Sequence, residues 1–190
     1  MLKKLSWAVL LLSSITLAAE SGNTLDPCKL LTKQEVEKVL KIPMQPGRLG
    51  RSGAVFGTLS CTYLSKERFE KSGSVVLTVG TTSFMKENDA IFESAKEKYD
   101  KEKYAYMEAL KRQGKSDTYK PIEGLGDDAY WGSVALKILQ GDADINIRVS
   151  ATSGMSARSS QELDKMTKER NLAVSKEIAK IVLPKLKKTP

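Results

Sequence analysis

Two cysteines behind a secretory-type leader constrain this chain more than any other feature. The N-terminus reads MLKKLSWAVLLLSSITLAAE, in which Lys3 and Lys4 supply a short positive stretch and Leu5 to Leu17 form an almost unbroken apolar run of 13 residues. Thr16-Leu17-Ala18 fits the small-x-small cleavage pattern, with Ala19 as an alternative end. A spanning helix needs about 20 apolar residues, so residues 1–18 are read as a signal peptide rather than an anchor. Cys28 lies well past the run, so no lipid-attachment cysteine is expected. Export, periplasmic or secreted, places the thiols in an oxidising compartment. Two cysteines there are most simply one disulfide, Cys28 to Cys61; two separate buried thiols are the alternative. Such a bridge closes a loop of about 34 residues, for which chain entropy gives about 3–4 kcal/mol.

The chain has 190 residues, 41% hydrophobic and 28% charged, which is a globular composition. It contains no histidine. That removes Ser-His and Cys-His catalysis and the commonest zinc sites, and no cofactor or metal is expected. Without a histidine or a C-x-x-C pair, neither cysteine reads as a reactive thiol. Loss of Lys3 and Lys4 with the leader takes the formal charge from +8 to +6. Residues 165–190 hold eight Lys/Arg against two acids, so the excess positive charge is C-terminal. That is not the broad basic face of a nucleic-acid-binding domain.

Residues 19–27 read as a flexible polar arm. Thr32 and Glu35 form a capping box, and Val36, Val39 and Leu40 give one apolar face to a helix over 32–41. Prolines and glycines break 43–56 into a loop with room for a short strand. Residues 57–65 and 74–82, rich in Val, Thr and Leu, predict an antiparallel pair. Ser83 then caps a long helix over 85–113, with Phe92, Ala95, Tyr99, Tyr106, Ala109 and Leu110 at helical spacing. Its charges alternate in sign, with Glu97–Lys101 and Glu108–Arg112 four apart, the pattern of a solvated face. Strands follow over 128–132, 134–140 and 143–151, the last two joined by Gln140-Gly141-Asp142. A final helix over 159–183 carries Leu163, Met166, Val174, Ile178 and Ile181 as its buried stripe, and 184–190 is a basic tail. The order α-β-β-α-β-β-β-α predicts one α+β domain over 28–183, an antiparallel sheet of about five strands flanked by helices.

Each motif with chemical content also has a plainer reading. Gly124-Leu-Gly126-Asp-Asp-Ala129 matches a dinucleotide fingerprint formally, but strands rather than a helix follow it, so it reads as a tight turn. Asp142, Asp144 and Asn146 resemble the start of a calcium loop without its later glycine and acid, and they alternate with Ala143, Ile145 and Ile147 as the solvent face of a strand. Ser83-Phe-Met-Lys86 matches S-x-x-K, a nucleophile motif that needs a desolvated lysine and further elements this chain lacks. Asp127 and Asp128 are two adjacent acids, too few for a cation site. Tyr119, Tyr130 and Trp131 are candidates for a ligand groove or for core. Lys180, Lys185, Lys187 and Lys188 could meet an anionic envelope surface or complement the helix dipole.

Two blocks resemble a broad family of secreted bacterial domains of unknown function. One is Pro27-Cys28-Lys-Leu-Leu-Thr32-Lys-Gln-Glu35-Val36, similar to a P-C-x-L-L-T-x-x-E-V opening. The other is Gly124 to Trp131, similar to a G-L-G-D-x-A-Y-W segment, with Cys61-Thr-Tyr63 matching a C-x-Y strand. The resemblance covers about residues 26–183. It implies the Cys28–Cys61 bridge, a helix-flanked antiparallel sheet of the LpqN-like or PsbP-like kind, and no catalytic residues. The chain departs from it in lacking a lipidation site and in its more charged central helix. The function expected is a soluble, non-enzymatic exported domain that binds an envelope component, such as lipid or cell-wall polymer, or a partner protein. The alternative is a histidine-free hydrolase using Ser83 and Lys86 or Asp127 and Asp128.

Overall fold

The computed structural model describes residues 25–51, 53–67, 72–116, 119–151 and 159–186. The predicted leader, most of the predicted arm and residues 187–190 of the tail lie outside these. The chain is α+β; its described residues form five α-helices and one seven-stranded antiparallel sheet in the order β1-β2-β3-β7-β6-β5-β4. The strands are β1 (Arg48–Gly50), β2 (Leu59–Leu64), β3 (Gly73–Thr81), β4 (Lys120–Pro121), β5 (Asp128–Trp131), β6 (Leu136–Gln140) and β7 (Ala143–Ala151). The helices are α1 (Pro27–Leu30), α2 (Lys33–Leu40), α3 (Thr82–Glu87), α4 (Ala95–Arg112) and α5 (Ser160–Leu186).

The five predicted strands are all present. The sheet gains two short edge strands, β1 and β4, that carry no periodic signal of their own. They exist because β2 and β5 offer them unpaired backbone groups, with Leu49 opposite Cys61 and Pro121 opposite Tyr130. A proline is tolerated at such an edge.

The predicted helix 85–113 is two helices. Thr81, not Ser83, caps α3, its hydroxyl accepting from the Phe84 amide; Ser94 caps α4 in the same way at Glu97. Between them Asp89 takes a left-handed φ of 46°, and the Ile91 amide donates to the Val55 carbonyl at 3.1 Å. The capping box of α2 forms as predicted. The Glu35 carboxylate accepts from the Thr32 amide at 2.8 Å, and the Thr32 hydroxyl accepts from the Glu35 amide at 3.4 Å.

β7 explains the layering. Its apolar residues Ala143, Ile145, Ile147, Val149 and Ala151 alternate with Asp144, Asn146, Arg148 and Ser150, so one strand has an apolar and a polar side. The apolar side joins Val75, Leu77 and Val79 of β3 and Leu136 and Ile138 of β6 in the main core, which α1, α2 and α5 cover. The disulfide lies here: Cys28 in α1 and Cys61 in β2 are bonded, with Cα atoms 5.1 Å apart. Beside it the Tyr63 hydroxyl donates to the Leu31 carbonyl. Burial, with Asp26 and Glu35 nearby, pushes that phenol up to about 12.

α5 meets this core only through its C-terminal half, where Ser175, Ile178, Ala179, Val182 and Leu183 are buried. Of the predicted stripe, Ile178 is buried and Val174 and Ile181 pack against the core. Leu163 is exposed and Met166 is only half-buried, because the helix has left the sheet at that end. The helix also continues through Pro184 to Leu186, so the predicted tail starts inside it. Lys185 is ordered there, donating to the Leu30 carbonyl at 2.9 Å and to Glu35 at 2.7 Å.

Candidate functional site

The polar side of the sheet is divided in two. α4 lies over β6 and β7 and α3 over the Gly80 end of β3; among the described residues, the rest of the polar side of β1, β2 and β3 has no helix packed on it. The helical spacing of Ala95, Lys98, Tyr99, Glu102, Tyr106 and Leu110 places these residues along one seam, so two charges enter the packed surface among the aromatics.

Under that seam the charges meet their counterparts on the sheet. Lys98 is 5% exposed and Asp144 is 2% exposed. The Lys98 Nζ donates to Asp144 Oδ2 at 2.6 Å and to Glu102 Oε1 at 2.6 Å. Lys137 of β6 donates to the other Glu102 oxygen at 2.5 Å. Burial drives the Asp144 carboxyl upward, and Lys98 only partly offsets that. For Lys98 burial pulls downward, but Asp144 and Glu102 outweigh it and the ammonium ends above its ordinary value. Glu102 is pushed up by burial and pulled further down by Lys137 and Lys98, so it is held below the usual carboxylate range. Asp144 Oδ1 and Asn146 Oδ1 are buried and have no hydrogen-bond partner among the described residues.

Asp144 is therefore not on a solvent face, as its alternation with apolar residues implies, because α4 covers that face. Lys98 likewise does not belong to a solvated surface, and Glu102 sits half-buried at its edge. A signal for them is present in the sequence: they fall in step with Ala95, Tyr99 and Tyr106, where a solvated face would have fallen out of step.

Of the predicted groove, Tyr119 and Tyr130 come together with rings 6.0 Å apart, and Tyr99 and Tyr106 close around Tyr130 at 5.6 and 5.7 Å. Trp131, the next residue on the strand, points to the opposite side and packs against the main core. Tyr130 is buried, so the aromatic group is the packed joint between α4 and β5. Lys103 closes its end with a 2.5 Å bond to Asp128.

The other candidates lie apart. Ser83 and Lys86 are both exposed, and the Ser83 hydroxyl pairs with Thr81 at 3.0 Å. Lys86 thus lacks the desolvation that S-x-x-K chemistry needs. Asp127 is exposed and accepts from the Gly141 amide at 2.5 Å, holding one turn against another. Gly124 and Gly126 both have positive φ, and a Cβ at Gly126 would stand 2.4 Å from the Leu139 carbonyl oxygen. The G-x-G segment is a turn that needs glycine for its backbone. Among the described residues no three His, Cys, Asp or Glu side chains gather as a metal site, and no helix is long and apolar enough to cross a membrane.

The uncovered half of the polar side has its own chemistry. Register places Arg48, Thr62, Val76 and Arg148 in one row across β1, β2, β3 and β7. Ser60, Thr78 and Asn146 form the next row, and Leu64, Ser74 and Ser150 a third. Both arginines are exposed, about 14 Å apart by three strand spacings. None of these positions carries an acid. No family model, curated protein or solved structure matches this chain.

Proposed function

We propose that the chain is an exported, non-enzymatic binding domain whose ligand is an anionic glycan of the cell envelope, laid across the uncovered polar half of the sheet. The observation that carries this reading is the row Arg48–Thr62–Val76–Arg148, in which two exposed arginines stand among rows that hold no acid. Guanidinium is the side chain best matched to carboxylate or phosphate oxygens. The flanking hydroxyls of Ser60, Ser74, Thr78 and Ser150 suit sugar hydroxyls, and Leu64 and Val76 suit the C–H faces of the rings. The leader-like N-terminus and the disulfide support an exported location.

The test is retention of the purified domain on acidic and neutral polysaccharides of equal chain length. Retention on the acidic polymer should fall with added salt. Alanine at both Arg48 and Arg148 should weaken it by about 10-fold or more at low salt. Equal retention on both polymers, or no effect of the double substitution, removes the reading.

A further inference from the structure

We propose that Lys98 and Asp144 form an intramolecular amide bond, with Glu102 as the proton relay, which fastens α4 covalently to the centre of the sheet. The geometry is that of a nucleophile and an electrophile buried together, with a base at the partly exposed edge of the site. Lys98 and Asp144 are almost wholly buried, and the Nζ stands 2.6 Å from Asp144 Oδ2. Adding one carbon–oxygen bond puts the Nζ within about 3.8 Å of the carboxyl carbon, close to a near-attack distance. Glu102 Oε1 is 2.6 Å from the same nitrogen, within direct proton-transfer reach. The half-buried Phe92 ring lies 6.0 Å from the Nζ, at cation–π distance.

The chemistry balances without any further reactant. One proton passes from the ammonium to the Asp144 carboxylate, giving an amine and a carboxylic acid with no change in total charge. The nitrogen lone pair attacks the carboxyl carbon. Glu102 takes one of the two protons remaining on nitrogen and returns it to the departing hydroxyl. A carbon–nitrogen bond forms, a carbon–oxygen bond breaks, one water leaves, and Glu102 ends as it began. Nothing is oxidised or reduced. The site favours this direction because two buried charges become one neutral amide. Asp144 Oδ1 lacks a hydrogen-bond partner among the described residues, so the carboxylate is poorly supported as an anion. Burial also holds that carboxyl above its ordinary range, toward the protonated form that must react, while Asp144 and Glu102 hold Lys98 as the ammonium, so the initial proton transfer is the costly step.

Intact mass of the folded, purified protein, taken after reduction and under denaturing conditions, should be lower than the linear sequence by one water. A protease digest should yield a branched peptide joining Lys98 to Asp144. Lys98→Arg should restore the linear mass, and Glu102→Gln should slow or stop the loss of water. A wild-type mass equal to the linear chain after prolonged incubation in the folded state, with no branched peptide, overturns the bond. Full-rate cross-linking in the Glu102→Gln protein overturns the assignment of Glu102.

Discussion

The two sides of one β-sheet are packed here by different physics. On the apolar side, Ile145, Ile147 and Val149 of β7 meet Ile178, Ala179, Val182 and Leu183 of α5. Beneath α4, Asp144, Lys137 and Tyr130 meet Lys98, Glu102, Tyr99 and Tyr106. The same strand supplies both sides, one residue out of phase. Apolar contact has no preferred direction and follows the area removed from water. The ionic interface is directional: its value depends on every partner being in place, since a buried charge left alone costs more than the pair gains. The apolar side should therefore tolerate changes of shape, and the α4 side should not tolerate changes of chemistry.

The largest expected effect tests that difference directly. Lys98→Met keeps the length of the side chain but leaves the Asp144 carboxyl buried with neither a cation nor an amide partner, and should cost about 3–5 kcal/mol in chemical denaturation. Ile178→Leu, an equally conservative change against the apolar side, should cost less than about 1.5 kcal/mol. Equal losses at the two positions would break the contrast. Next comes the disulfide. Replacing Cys28 and Cys61 together by serine should cost about 2–4 kcal/mol. Amide exchange should rise first in α1, β1 and β2, while α4 stays protected, because the bridge belongs to the apolar side. A rise that begins in α4 would show the two sides to be coupled.

The smallest effect is the acid limb of stability. Burial pushes the Glu35 carboxyl up, but hydrogen bonds from Lys185 and Thr32 outweigh it and hold it below its ordinary 4.5. A carboxyl depressed in the folded state adds stability above its unfolded value, and that stability disappears as pH falls through the folded value. Stability should therefore drop below about pH 4.5, and Glu35→Gln should flatten that drop in denaturation midpoints taken across the acid range. A slope unchanged in the variant would remove Glu35 from the account.

Residues near one another in the chain settled much of this protein without help. The Thr32–Glu35 capping box, the Gln140-Gly141-Asp142 turn and the strict alternation of β7 act over a few residues, and each is present in the fold as the sequence predicts. The five main strands and the cysteine pairing were legible for similar reasons: a period of two, and only two thiols to pair. Of the edge strands, β1 falls in the 43–56 loop, which has room for a short strand, but its place there and the whole of β4 were not legible, because a strand of two or three residues is defined by the neighbour it pairs with. The division of 85–113 into α3 and α4 was hidden because the turn at 88–94 leans on Val55, far away in sequence. Leu163 was misplaced because periodicity says which side of a helix is apolar but not where the helix runs off its sheet. Within the candidate sites, the tyrosines around Tyr130 were named in part, and the ionic cluster was missed. Alternation fixed which side of β7 carries Asp144, and helical spacing fixed which side of α4 carries Lys98. Only the packing of that helix over that strand, joining residues 46 apart, decided that both would be buried and paired, because desolvation belongs to the assembled layers and not to any local stretch of chain.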